Sequence, residues 1–229
     1  MMRSFENRDD CVVVDEPLYP HYLAATGLDH PAADRVIAAG DPDWRRVTEW
    51  LTTGAPTLAD GDEPAIFYQK HMTHHLLPHI GHDWIGRLRN VMLIRDPREA
   101  VASYLKTRTT VTPEDIGVPQ QAALYDALVA SGEPPPVIDA GEFLREPQAH
   151  LRALCALLDV PFTGRMLSWP AGPRDSDGVW GPWWYEAVWR STGFEPYRPR
   201  NPHLDGEPAK TAQACLPHYE RLRSVRLTP

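Results

Sequence analysis

The sequence predicts an α/β fold built on a parallel sheet, and three observations carry that expectation. Short apolar runs rich in β-branched residues recur at 11–14 (CVVV), 65–70 (AIFYQK), 90–94 (NVMLI) and 136–139 (PVID). Stretches with helical period separate them. Strands covered on both faces read as continuous apolar runs, and helices between such runs are the crossovers of a parallel sheet. Three of the four runs also end in polar clusters, Asp15-Glu16, Lys70-His71 and Arg95-Asp96. In parallel sheets the chemistry gathers at the carboxyl ends of the strands.

Each element follows in order. Met1, Met2 and Phe5 share one helical face, so 1–8 reads as the end of an amphipathic helix. The first strand empties at Asp15-Glu16-Pro17. Helical patterns cover 31–39 and 43–52, split by the breaker Gly40-Asp41-Pro42. A short helix starts at 73–79, beyond the second strand. The third strand stops at Arg95-Asp96-Pro97 and feeds a helix over 99–106, with another at 119–130. Pro147 opens a helix through 158 that puts Leu151, Leu154, Cys155 and Leu158 on one face. From about 169 the chain is rich in Trp, Pro and Gly, with helical pattern only over 182–190, before a last helix over 208–224.

The 229 residues suit one α/β domain over 1–229, large enough to bury a core without staples. A net charge of −8 argues against a nucleic-acid partner, which needs a basic field. Cys11, Cys155 and Cys215 are widely spaced and form no CxxC, so neither a disulfide framework nor a zinc knuckle is expected, and a reducing cytoplasm fits best. No apolar run approaches the roughly 20 residues of a membrane span. The first residues, MMRSFENRDD, lack the apolar core of a signal peptide.

The segment RDPREAVAS places Arg95 at a strand end and Ser103 eight residues later on a helix. A guanidinium and a hydroxyl beside a helix start suit a phosphate. An ion pair of Arg95 with a nearby carboxylate, plus a capped helix, explains the same residues. His71, His74 and His75 have the spacing of helical metal ligands, but no HExxH or flanking carboxylate accompanies them, so no metal is expected.

The run VMLIRDPREAVASYLKTR resembles the 3′-phosphate-binding segment of sulfotransferases that use 3′-phosphoadenosine 5′-phosphosulfate (PAPS). VIDAGEFLREPQAHLRALCALLDVPF (137–162) is similar to a second stretch of that family. The match looks closest to a bacterial branch carrying DEPLY (15–19), QKHMTHH (69–75), RDPRE and a Trp-rich tail. The resemblance implies a P-loop-NTPase-like parallel sheet flanked by helices, with a lid-like segment at about 169–205. It also implies transfer of a sulfonate from PAPS to a hydroxyl or amine of a small-molecule acceptor. Arg95 and Ser103 would hold the 3′-phosphate. Arg174 and Trp180 would fold over the nucleotide as a guanidinium on phosphate and an indole against adenine. Sulfonate transfer needs a cation near the leaving oxygen and a base near the acceptor. Lys70 would be the cation, and Glu16, His71 or His74 the base. Asp15, Tyr19 and His21 would contact the acceptor, or else the carboxylates would cap a loop or helix.

The family's phosphate-binding loop has no counterpart in this text, which opens where relatives would be ending their first helix. The expectation is an internal start or a remnant gene, with a strand's place left open between the QKH and RDP strands. An unpaired slot of that kind could take a second copy as a homodimer. Two other readings remain: a noncatalytic nucleotide-binding or interaction module, and a small-molecule kinase, which would need the GxxxxGK[ST] loop that is absent.

Overall fold

A computed structural model describes residues 1–229. In chain order the elements begin with α1 (Met2–Glu6), β1 (Cys11–Asp15), α2 (Tyr19–Thr26), α3 (Ala33–Ala39), α4 (Trp44–Thr53) and β2 (Ile66–Lys70). Two 3-10 turns, Thr73–His75 and Ile85–Arg87, lead to β3 (Met92–Ile94), α5 (Pro97–Tyr104), α6 (Pro113–Ile116), α7 (Val118–Ala130) and β4 (Val137–Asp139). The remainder is helical: α8 (Ala140–Phe143), α9 (Pro147–Leu157), a 3-10 turn at Gly164–Leu167, α10 (Gly181–Trp184), α11 (Glu186–Arg190) and α12 (Gly206–Ser224). The chain forms two compact units, Met1–Arg87 with Thr163–Phe194, and Leu88–Phe162 with Glu195–Pro229.

In the first unit β1 and β2 pair in parallel, with Cys11 opposite Ile66 and Asp15 opposite Lys70. That register brings the two polar strand ends together. The crossover holds α2, α3 and α4. Asp43 caps α4 by accepting from the Arg45 amide at 3.0 Å, and Val47 and Leu51 form its buried face. Sequence patterning missed α2, because Pro17 and Pro20 look like breakers. Pro20 instead occupies the first turn, where its missing N–H costs nothing, and Gly27 closes the helix in the left-handed region at φ 65°. Tyr19, Tyr22, Leu23, Val36, Trp180 and Tyr185 make one buried cluster, with Trp184 and Trp189 packed against it. Part of the Trp-rich stretch is therefore core of this unit. The stretch 169–205 also divides at Phe194, with its remainder in the second unit.

In the second unit β3 and β4 pair in parallel, Ile94 opposite Asp139, across a crossover containing α5, α6 and α7. Asp96 caps α5 by accepting from the Arg98 amide at 2.9 Å, with Pro97 at its first position. Leu151, Leu154 and Cys155 are the buried face of α9, and Cys215 and Leu222 are fully buried on α12.

The parallel strands with flanking helices are as expected, but they form two two-stranded sheets rather than one ladder. The β1–β2 and β3–β4 connections are helical crossovers of the kind that parallel neighbours need, and 71–91, between β2 and β3, carries two 3-10 turns.

Candidate functional site

The end of β1 is built by its register with β2. Asp15 and Lys70 are the last paired residues, and the Glu16 amide donates to the Lys70 carbonyl at 2.8 Å. Glu16 then turns the chain with φ at +43°. A non-glycine residue held there costs on the order of 1–3 kcal/mol, and such strain concentrates at functional positions. The turn brings its carboxylate back over the strand end.

The Lys70 ammonium donates to Asp15 Oδ1 at 2.9 Å, Glu16 Oε1 at 2.5 Å and Tyr185 Oη at 2.6 Å. Tyr185 in turn donates to Asp15 Oδ2 at 2.5 Å, and the Trp180 indole N–H approaches the phenol oxygen at 3.4 Å. The Asp15 side chain is 1% exposed, Glu16 12% and Lys70 29%, so the centre opens to solvent on the Glu16 and Lys70 side. Burial opposes the charge on Lys70, but Glu16 and Asp15 outweigh it and hold the amine protonated well above its usual range. Burial pushes the Asp15 carboxyl up, against the pull of Lys70. Burial and the adjacent Glu16 carboxylate keep Tyr185 a phenol.

The histidines near β2 divide by environment. Burial, and then Lys70, push the His71 imidazolium down to about 4, leaving a neutral ring at pH 7 whose Nε2 lies 3.3 Å from Gln69 Oε1. His74 packs edge-on to His75 and Tyr22. His75 is buried and stacks on Tyr19 with centroids 4.8 Å apart. No group of three His, Cys, Asp or Glu side chains is placed to hold a metal ion.

Several residues expected in the first unit's site are spent elsewhere. Tyr19 is buried, with its hydroxyl 2.8 Å from His30 Nδ1. His21 is buried with Nδ1 2.7 Å from the Pro42 carbonyl and Nε2 2.8 Å from His79 Nε2. A carbonyl only accepts, so His21 Nδ1 donates to Pro42 and Nε2 is taken up by His79. Neither residue presents a free polar atom to an acceptor. Trp180 is buried edge-on to Tyr19, so its indole face meets core and not a nucleotide base. Arg174 is 23% exposed, its Nη1 3.9 Å from Glu6 Oε2 and its buried Nη2 without a partner.

The second unit carries Arg95 and Ser103. Arg95 donates through Nε and Nη2 to Glu99 Oε2 at 3.3 and 3.2 Å, one helical turn on, while Nη1 has no internal partner and the side chain is 40% exposed. Glu99 is buried and accepts from Tyr197 Oη at 2.8 Å through its other oxygen. Both ordinary explanations of RDPRE, an ion pair and a capped helix, are thus present, and they leave an outward fork. The Ser103 hydroxyl makes no internal hydrogen bond. It lies in the last turn of α5 and not near its start, about 9 Å of helix rise beyond Pro97. An unpaired guanidinium nitrogen and an unpaired hydroxyl are a donor set that fits a phosphate.

Sequence reasoning missed Tyr185 and Glu99. The i, i+4 spacing from Arg95 could have found Glu99. Nothing local marks Tyr185 within an aromatic stretch.

Comparison with known proteins adds the following. A family described as a sulfotransferase domain matches residues 1–226. Branched-chain-amino-acid aminotransferase-like proteins 2 and 1 of Arabidopsis thaliana are 35% identical over 228 residues and 36% identical over 229. The matches cover 97% and 98% of this chain but only 39% of each relative, so the chain spans well under half of their length. The sulfotransferase domain of the Synechococcus PCC 7002 olefin synthase shares the fold at a TM-score of 0.50 and 14% identity, covering 93% of this chain and 88% of that one.

Proposed function

The chain belongs to the sulfotransferase-domain family, and we propose that it moves a sulfonate from PAPS to a hydroxyl or amine of a small-molecule acceptor. The observation that carries this reading is the strand-end centre of Lys70 with two carboxylates, one of them on a strained backbone. It places a cation and a base within one hydrogen-bond network, the pairing that sulfonate transfer requires.

PAPS supplies the activated sulfonate, whose S–O bond to phosphate breaks as a new bond from sulfur to the acceptor forms. Glu16, partly exposed beside Lys70, takes the acceptor proton. Lys70 faces the oxygen that gains charge as the phosphate leaves with the bonding electron pair. Asp15 is too buried to meet the acceptor and instead orients Lys70. His71 is a weaker candidate base than Glu16, because burial and Lys70 disfavour its protonation. In the second unit, Arg95 Nη1 and the Ser103 hydroxyl take the 3′-phosphate, with Glu99 fixing the guanidinium.

Calorimetry with 3′,5′-adenosine bisphosphate, using 5′-AMP as control, tests the reading. The bisphosphate should bind at least tenfold more tightly than 5′-AMP, and Arg95→Ala should erase that preference, as expected for charge-assisted bonds to phosphate. Equal or absent binding of both nucleotides to the unaltered chain would sink the donor assignment and leave a noncatalytic interaction module.

A further inference from the structure

An ammonium group has three N–H donors and no acceptor. All three of those on Lys70 are engaged, by Asp15, Glu16 and Tyr185. A Lys70 so engaged has no donor left for a substrate oxygen, so the proposed reaction requires one partner to leave.

The three partners are not equally replaceable. Asp15 is fixed by the β1–β2 register, and Glu16 by backbone hydrogen bonds to Lys70 and Tyr19. Separating Asp15 from Lys70 would strand a buried carboxylate, and separating the partly exposed Glu16 would break the shortest of the three contacts. Tyr185 is neutral, so its departure breaks one charge-assisted hydrogen bond without pulling opposite charges apart. It arrives from 115 residues away, at the junction of α10 and α11, helices of four and five residues. Its oxygen accepts from Lys70, the part that an acceptor-only sulfonate oxygen can take over, while its proton goes to Asp15.

We propose that Tyr185 is a displaceable place-holder on Lys70, its phenol oxygen standing where an oxygen of the bound sulfonate group comes to sit. Displacement frees one N–H of Lys70 while the two carboxylates keep the ammonium aimed. Tyr185 is thus a positioning residue that keeps Lys70 in place between turnovers. The inference rests on the sulfotransferase reading, and its test separates the two.

The full chain and its Tyr185→Phe variant are titrated with PAPS and with 3′,5′-adenosine bisphosphate, which lacks the sulfonate. Removing the competing hydroxyl should tighten PAPS by roughly fivefold and leave the bisphosphate unchanged. A general packing defect would move both ligands together. Unchanged or weaker PAPS binding in the variant, with normal binding to the unaltered chain, overturns the place-holder and leaves the sulfotransferase reading standing. If neither nucleotide binds the unaltered chain, the donor reading fails and the place-holder is judged with inorganic sulfate, followed on the 15N signal of the Lys70 ammonium. A shift at lower sulfate concentration in Tyr185→Phe upholds it, and superimposable titrations overturn it. Should Tyr185→Phe lose its cooperative melt, Trp180→Phe takes its place in the same assays. That variant loosens the phenol without altering Lys70 and should move PAPS in the same direction by a smaller factor.

Discussion

The two units solve the same local problem differently. Each ends a parallel strand in a cation, holds that cation with a carboxylate, and fixes the carboxylate with a tyrosine from the C-terminal part of the chain. In the first unit Lys70, Asp15, Glu16 and Tyr185 close on themselves, and every ammonium proton is used. In the second, Arg95, Glu99 and Tyr197 leave one guanidinium nitrogen facing outward. The contrast shows how side-chain chemistry and burial set the task. A point charge can be enclosed through all three of its donors, whereas a planar fork braced on one edge keeps the other edge open.

The largest expected effect is on stability. Lys70→Met strands two poorly exposed carboxylates and should cost about 3–5 kcal/mol in urea unfolding. Arg95→Met leaves the buried Glu99 carboxylate with the Tyr197 hydroxyl and the Arg200 amide as donors and should cost less, about 1–2 kcal/mol. Equal losses would break the comparison.

The next effect is the response to acid. His71 titrates near 6.5 when unfolded and near 4 when folded. Between those values the unfolded chain binds more protons, so stability decreases as the pH is lowered, by up to about 1.4 kcal/mol per unit. His75, pushed well below 6.5 by burial, acts in the same direction. Asp15 opposes them: its raised carboxyl pKa means that the folded state gains stability as pH falls toward the ordinary carboxylate range. In the second unit burial opposes ionisation of Asp96, but Arg98 outweighs it and lowers its pKa. Hydrogen bonding from Arg226 lowers that of Glu142. Their contribution is present above the unfolded carboxylate range and is lost only below it. Amide exchange from pH 7 to 4 should therefore show the first unit loosening before the second, and His71→Gln should narrow the interval.

A smaller effect concerns the fork itself. Glu99→Gln keeps the shape but weakens the grip on Arg95. It should lower affinity for 3′,5′-adenosine bisphosphate about threefold, with 5′-AMP unaffected, as a calorimetric titration would show.

The smallest is kinetic. Burial pushes the Cys11 thiol up to about 12 and that of Cys215 up to about 11. Native protein should resist iodoacetamide at both. Mass spectrometry at graded urea would report each unit through its own cysteine, and coincident labelling curves would mean that the units open together.

The strand ends were legible because CVVVDEP, AIFYQK and VMLIRDP each combine an apolar β-branched run with an abrupt polar stop. The pairing of Lys70 with Asp15 and Glu16 was not, since it depends on register across a crossover of three helices. Tyr19 and His21 read as site residues because they follow Asp15-Glu16 closely. The hidden helix α2 turns them into the core, where Tyr19 meets His30 and His21 meets Pro42. Trp180 and Tyr185 sit five residues apart in a stretch without period, and only packing shows that the indole braces the phenol.

The discontinuity of the first unit has a consequence for the order of its assembly. Lys70, made after both its carboxylates, leaves the ribosome 115 residues ahead of Tyr185. At 5–20 residues per second that interval is roughly 6–23 s. During it the nascent β1–β2 pair carries an ammonium with a spare donor and a core cluster lacking Trp180 and Tyr185. The chain thus passes through a stage in which the Lys70 ammonium is open before its own tyrosine closes it.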